Sequence, residues 1–116
     1  MSLRVEHWGF REDSDASMVV GGARVEALAS EFGTPLHVVD EDALRCSARR
    51  FREAFESAYP GPVHTYFALK CNNTPGIVQL VLDEGLRPEV GTLYEWTLAR
   101  RMGVDPACIL VNGPHK

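Results

Sequence analysis

The sequence predicts an α/β fold in which strands and helices alternate around a parallel sheet. Short apolar strand candidates begin near residues 63, 87 and 109, and helical patterns separate them. The repeat of roughly 20–25 residues suits β/α crossovers, which place successive parallel strands in one sheet. The chain has 116 residues, whereas a complete (β/α)₈ barrel needs about 250. We therefore expect either a small open α/β sheet or a part of a (β/α)₈ TIM-like barrel that is incomplete in this chain.

The chain is expected to have two segments. Residues 1–22 are weakly patterned and are interpreted as an N-terminal extension, in which Val5–Phe10 is a candidate strand of a second β-domain. Residues 23–116 are interpreted as the first part of the barrel. The chain stops just after its third repeating strand, and this favours a barrel part over the alternative, a stand-alone flavodoxin-like domain.

The first elements of the barrel part follow a break at Gly21–Gly22. A helix is predicted over about 23–32, because apolar residues recur there at helical spacing, and Gly33 suits its C-terminal cap. The β-branched run Leu36–Val39 predicts a short strand. Asp40 is the expected N-cap of a second helix, which extends to about Ala58.

The best strand in the sequence is Val63–Lys70, where alternate side chains face opposite sides. Both faces carry bulky groups, as expected for a parallel strand that is covered on both sides. In a barrel, one face would meet the helices and the other would point inward. The helix-facing set is Val63, Phe67 and Leu69, and the inward set is His64, Tyr66, Ala68 and Lys70.

The same pattern repeats further along the chain. Thr74–Pro75 starts a helix that reaches Gly85, and Pro88–Val90 is the next strand candidate. Thr92–Glu95 is a capping-box sequence that opens another helix. Ile109–Val111 is the last strand candidate, and an Asn-Gly-Pro break follows it.

Composition and charge exclude several classes of function. The net charge of −4 and the pI near 5.5 argue against nucleic-acid binding. No apolar run approaches the length of a membrane span, and the N-terminus lacks the pattern of a secretory signal. The three cysteines are far apart, which argues against a disulfide framework or a zinc site. We expect a cytoplasmic protein with reduced thiols and no metal.

Two residues at predicted strand ends are candidates for chemistry. Lysine is rarely fully buried unless it is paired or chemically used. At the carboxyl end of a parallel strand, Lys70 lies where α/β folds place catalytic groups, and its amine could form a Schiff base. On pattern alone, a lysine whose ammonium simply reaches water is the stronger interpretation. Glu89 ends the next strand, and an exposed carboxylate explains it equally well.

Four segments carry a resemblance to a known family. They are residues 33–40 (GTPLHVVD), 66–72 (YFALKCN), 89–95 (EVGTLYE) and 109–116 (ILVNGPHK). In this order and spacing they resemble the fold-type III pyridoxal-phosphate-dependent decarboxylases of diaminopimelate, ornithine and arginine, to which alanine racemase is distantly related. The resemblance covers about residues 23–116 and implies a barrel of the alanine racemase/decarboxylase type.

The resemblance assigns roles to individual residues. It implies that Lys70 holds pyridoxal 5′-phosphate as a Schiff base and later carries a proton. Glu89 occupies an aspartate position of the family, where its carboxylate would pair with the lysine, although it is one methylene longer. Glu95 also matches a family glutamate, but its capping box already explains it.

The resemblance further implies an activity and partners. The substrate would be a basic or diamino amino acid, and the enzyme would be a homodimer whose active site is shared between subunits. The chain alone, which lacks most of the family's site, is expected to be inactive. Two alternatives stay open: a racemase-like relative, and a non-catalytic homologue that binds a protein partner.

Overall fold

The computed structural model describes residues 11–14 and 16–113. Their strands are β1 (Arg11–Glu12), β2 (Met18–Val20), β3 (Ala23–Arg24), β4 (Tyr66–Ala68), β5 (Arg87–Val90) and β6 (Leu110–Val111). Their helices are α1 (Val25–Phe32), α2 (Glu41–Ala58), α3 (Pro75–Asp83) and α4 (Leu93–Arg101), with a 3₁₀ turn at Pro106–Cys108. The chain divides into two compact units between Leu44 and Arg45. Within the described ranges, no helix is long and apolar enough to cross a membrane.

The first unit contains a small antiparallel sheet in the order β1-β2-β3. Gly21 and Gly22 have φ angles of 55° and 81°. Two successive residues with positive φ form the tight turn that joins antiparallel strands, and glycine adopts this conformation without steric cost. The glycine pair, which the sequence indicated only as a break, therefore closes a β-hairpin. Helix α1 begins at Val25 and not at Ala23, because Ala23 pairs with Val20 of β2.

The predicted strand Leu36–Val39 does not form. These residues have no regular secondary structure, and Leu36, Val38 and Val39 are 39%, 45% and 51% exposed. A strand exists only where a neighbour accepts and donates its backbone hydrogen bonds, and none does so among the described residues. The predicted cap is confirmed, because the Oδ1 atom of Asp40 accepts a hydrogen bond from the amide of Ala43 at 3.0 Å. The candidate strand Val5–Phe10 lies outside the described residues.

The second unit is built on a parallel sheet in the order β4-β5-β6. The strand order follows the chain, with α3 and α4 as the crossovers, so the predicted β/α repeat is confirmed. Strand β4 is shorter than the predicted Val63–Lys70. Backbone hydrogen bonds extend its ladder by one residue at each end, from Arg87 to the oxygen of Thr65 (2.8 Å) and from Leu69 to the oxygen of Glu89 (3.0 Å).

The core of this unit lies between the sheet and the two crossover helices. Its fully buried members are Leu69, Val78, Val90 and Ala99, and Phe67, Leu82 and Trp96 pack against them. Burying each large apolar side chain contributes about 1.5–3 kcal/mol relative to exposure. Phe67 and Leu69 face the helices, as predicted for their side of the strand. The register pairs Ala68 with Glu89, so these two residues share the opposite face of the sheet.

An ion cluster joins α2 to the end of α3. Arg49 donates to both carboxylate oxygens of Glu84, at 2.9 and 3.0 Å, and Arg45 donates to one of them at 3.3 Å. Such bidentate arginine–carboxylate pairs combine charge with fixed geometry. The hydrogen bonds from Arg49, assisted by Arg45, lower the pKa of the Glu84 carboxyl.

Candidate functional site

The candidate site is the edge of the parallel sheet at which its three strands end. We call this the carboxyl edge and define it by residues 69–71 after β4, residues 89–91 at the end of β5 and residues 111–113 at the end of β6. In α/β folds the carboxyl ends of parallel strands form the ligand-binding edge, since the loops there converge on one side of the sheet. The structure brings Lys70, Glu89 and Asn112 to this edge.

Lys70 lies in a turn directly after β4. The amide of Cys71 donates to the oxygen of Ala68 at 3.0 Å, which closes the turn over Leu69 and Lys70. Leu69 is fully buried while Lys70 is exposed, so the turn is anchored by one side chain and presents the next one to solvent. Within the described part of the chain, the Lys70 amine has no hydrogen bond or ion pair.

The loop beyond Lys70 is fixed by its own side chains. The Oδ1 atom of Asn72 accepts a hydrogen bond from the amide of Thr74 at 3.0 Å, the backbone contact that asparagine commonly makes in turns. Thr74 then stands at the N-cap of α3, and Pro75 is its first residue. The lysine is thus held between a strand end and a helix start, the segment of a β/α unit in which catalytic residues commonly occur.

Glu89 is one residue from the end of β5 and is partly exposed. Its backbone oxygen accepts from Leu69, and its Oε1 atom accepts from the side-chain amide of Asn112 at 3.0 Å. The ion pair with Lys70 that the resemblance implies is not formed among the described contacts. The two predicted site residues therefore share one edge, and the partner of Glu89 is an asparagine from the third strand.

Asn112 was missed by the sequence analysis, which interpreted it as part of a strand-ending break. Its backbone amide donates to the oxygen of Val90 at 2.9 Å and continues the parallel ladder beyond β6. A polar residue placed directly after a predicted strand, two residues beyond Leu110 and so on the same face of the sheet as Glu89, was the signal that could have found it. That signal required the register between β5 and β6, in which Glu89 pairs with Leu110.

The loop between β5 and α4 is locked by a capping box. The Oγ1 atom of Thr92 accepts from the amide of Glu95 at 3.2 Å, and the Oε2 atom of Glu95 accepts from the amides of Gly91 (2.7 Å) and Thr92 (3.1 Å). The predicted capping box is confirmed. Because the buried Glu95 carboxylate is engaged by these amides, its role is to hold the loop that follows Glu89.

Two glycines bring the ends of β5 and β6 close together. A Cβ atom added to Gly113 would lie 2.8 Å from the Cα atom of Gly91, closer than such atoms can approach. The absence of a side chain at Gly113 therefore lets the third strand end directly against the second. This contact sets the distance over which Asn112 reaches Glu89.

The carboxyl edge fits the attachment point of a pyridoxal cofactor. An exposed primary amine with no partner in the described structure is free to condense with an aldehyde. The Glu89 carboxylate, hydrogen-bonded by the neutral amide of Asn112, adds a negative charge at the same edge. In residues 11–14 and 16–113, no group of three or more histidine, cysteine or acidic side chains could hold a metal ion.

Comparisons with known proteins all find similarity to decarboxylases. Residues 42–116 match the family described as pyridoxal-dependent decarboxylase, pyridoxal binding domain. The diaminopimelate decarboxylase of Synechocystis sp. is 32% identical over 82% of this chain and 21% of its own length. That of Actinosynnema pretiosum is 35% identical over 85% of this chain and 22% of its own length, and that of Aquifex aeolicus is 31% identical over 100% and 26%.

A solved structure supports the same relationship. The crystal structure of diaminopimelate decarboxylase from M. jannaschi superposes with a TM-score of 0.82 and 27% identity, covering 90% of this chain and 25% of the solved one. The chain thus spans about a fifth to a quarter of the length of the relatives that it matches.

Proposed function

Because the chain belongs to the pyridoxal-dependent decarboxylases and matches their pyridoxal-binding domain, we propose that Lys70 is the lysine that holds pyridoxal 5′-phosphate as a Schiff base. The fold is the N-terminal part of a (β/α)₈ barrel of that family's type, and the family's cofactor is pyridoxal phosphate. The observation that carries the proposal is the placement of Lys70 at the carboxyl edge, as an exposed amine without a partner among residues 11–14 and 16–113. Only one other lysine, Lys116, occurs in the chain.

The roles of the chain's own residues follow from their positions. When bound, pyridoxal phosphate supplies an electron sink for the electrons left by loss of carbon dioxide. The Lys70 amine would hold the cofactor, and when it is not bonded to the cofactor the same lysine amine would carry a proton at this edge. The Glu89 carboxylate provides a negative charge at the end of the neighbouring strand. The capping box of Thr92 and Glu95 fixes the loop that follows Glu89.

For the whole protein we propose decarboxylation of a small-molecule diamino acid of the diaminopimelate type. The relatives named diaminopimelate decarboxylase support this choice over ornithine or arginine. We further propose a cytoplasmic homodimer with an active site shared between subunits. The division of the chain into an extension, residues 1–22, and a barrel part, residues 23–116, also stays a proposal.

The proposal is tested on the full-length protein by measuring carbon dioxide release from diaminopimelate, ornithine and arginine in the presence of the cofactor. We expect release from diaminopimelate, its loss in Lys70→Ala, and its retention in the matched control Lys116→Arg. Cofactor binding without release from any of the three substrates would identify a non-catalytic homologue. Interconversion of stereoisomers without release would identify a racemase.

A further inference from the structure

We propose that Asn112 is a positioning residue, which orients the Glu89 carboxylate so that it provides its negative charge at the carboxyl edge. This inference rests on the proposed function. It starts from the hydrogen bond between the Asn112 Nδ2 and Glu89 Oε1 atoms at 3.0 Å. A carboxylate has only acceptor atoms, so the amide must present its NH₂ group to Glu89 and its oxygen elsewhere. The geometry therefore fixes the orientation of both side chains.

The backbone of Asn112 is held by contacts with strand β5, so the position from which its side chain extends is fixed. Its amide donates to Val90 at 2.9 Å, and the next residue, Gly113, lies against the backbone of Gly91. Val90 is fully buried in the core. The backbone of Asn112 is thus bonded to Val90, the residue next to Glu89. Its side-chain amide reaches the Glu89 carboxylate without a flexible loop in between.

Glu89 needs such a support for a physical reason. A glutamate side chain has three rotatable bonds, and a partly exposed one loses conformational entropy when it is held in a single arrangement. One carboxylate oxygen is bonded to Asn112, and the other has no partner within the described residues. Asn112 thereby restricts the carboxylate while leaving one oxygen available to an amine at the edge.

The hydrogen bond between Asn112 and Glu89 contributes little to folding stability. The effect of its removal on the arrangement of the site can therefore be distinguished from an effect on folding. Asn112 is exposed and Glu89 is partly exposed, so both groups can exchange their hydrogen bond for water. Variants at position 112 are therefore expected to fold, and their effects report on the arrangement of the edge.

The test measures attachment of the cofactor and not catalysis. In cofactor-free full-length protein, the Lys70 amine condenses with the aldehyde of added pyridoxal phosphate, forming a C=N bond and releasing one water. The rate is followed by visible absorption. We expect Asn112→Ala to slow it about tenfold, since hydrogen bonds to charged groups are among the stronger ones. Asn112→Asp should slow it at least as much, because it sets two carboxylates against each other.

A double-mutant cycle shows whether Asn112 acts through Glu89. Glu89→Gln should slow condensation to a similar extent, and the double variant Asn112→Ala/Glu89→Gln should be no slower than Glu89→Gln alone. Fully additive effects would overturn the inference.

The matched control is Gln79→Ala. It removes another amide–carboxylate hydrogen bond, from Gln79 to Asp83 at 2.7 Å, on the exposed face of α3. We expect it to leave the rate unchanged. If Asn112→Ala behaves like Gln79→Ala while the wild type condenses normally, the positioning role is wrong and the proposed function stands. If the wild type does not condense at Lys70, the proposed function itself fails.

Discussion

At the scale of single residues, the position of Lys70 was predictable and its surroundings were not. A strand that ends in lysine can be identified from the alternation of residues 63–70, and the structure places that lysine in the turn after β4. The hydrogen bond between Glu89 and Asn112 joins residues 23 positions apart. It depends on the register of β5 against β6, which no local pattern specifies.

Gly113 gives a prediction at this scale. Gly113→Ala should destabilise the protein by about 1–3 kcal/mol, because the new methyl group would overlap the backbone of Gly91 and force the strand ends apart. Chemical denaturation of the full-length protein measures the change.

The control is Gly76→Ala in α3, where an added Cβ meets no atom within 4 Å. It should be neutral or stabilise by up to about 1 kcal/mol, because alanine favours the helix. Equal effects of the two substitutions would refute the close contact between the strand ends.

At the scale of elements, caps and periodicity were reliable guides, and isolated strands were not. The capping box of α4 and the N-cap of α2 formed as their residues predicted, because each needs only partners within four positions. The run Leu36–Val39 has the composition of a strand but gains no hydrogen-bonded neighbour. The N-terminal hairpin went unpredicted, because its strands are only two or three residues long.

The start of α4 can be tested by removing its cap. Thr92→Ala should cost about 1 kcal/mol, since the Thr92 hydroxyl accepts from the Glu95 amide. Thr97→Ala is the matched control: its hydroxyl only donates back to Leu93 within the helix, so its loss should change stability by less than about 0.5 kcal/mol. Thermal unfolding of the two variants compares them directly. An equal cost would argue against the capping box.

The ion cluster between α2 and α3 predicts a pH dependence. The Glu84 carboxyl has a lowered pKa in the folded state, chiefly through its hydrogen bonds with Arg49. As the pH falls, the Glu84 carboxyl is therefore protonated at a higher pH in the unfolded state than in the folded state. The stability that the cluster contributes is present above the ordinary glutamate pKa of about 4.3 and is lost as the pH falls through the lower folded value.

Acid unfolding of the full-length protein measures this loss. Glu84→Gln should be less stable than the wild type at neutral pH, and the difference should shrink as the pH falls below about 4. The matched control Glu53→Gln alters a more exposed and longer ion pair, with Arg52 at 3.9 Å, and should show a much smaller change. A Glu84→Gln difference that stays constant with pH would contradict the role of the cluster.

At the scale of the whole molecule, the repeat of strands and helices predicted the architecture. Once β4, β5 and β6 are separated by single crossover helices, the rules of parallel sheets favour strands that neighbour in the order of the chain, as observed. Substrate choice is not encoded at this scale, because a barrel of this kind supports many reactions through its loops. The family is nevertheless evident from four short segments, and two of them, residues 66–72 and 89–95, contain Lys70 and Glu89 of the carboxyl edge.

The central claim, that Lys70 is the cofactor lysine, is tested most directly by trapping the bond. Full-length protein loaded with pyridoxal phosphate is reduced with borohydride, digested, and its peptides analysed by mass spectrometry. The account predicts that the added pyridoxyl mass lies on the peptide that contains Lys70 and is absent from Lys70→Ala. An added mass at Lys116 or elsewhere, or no added mass on wild-type protein, would contradict it.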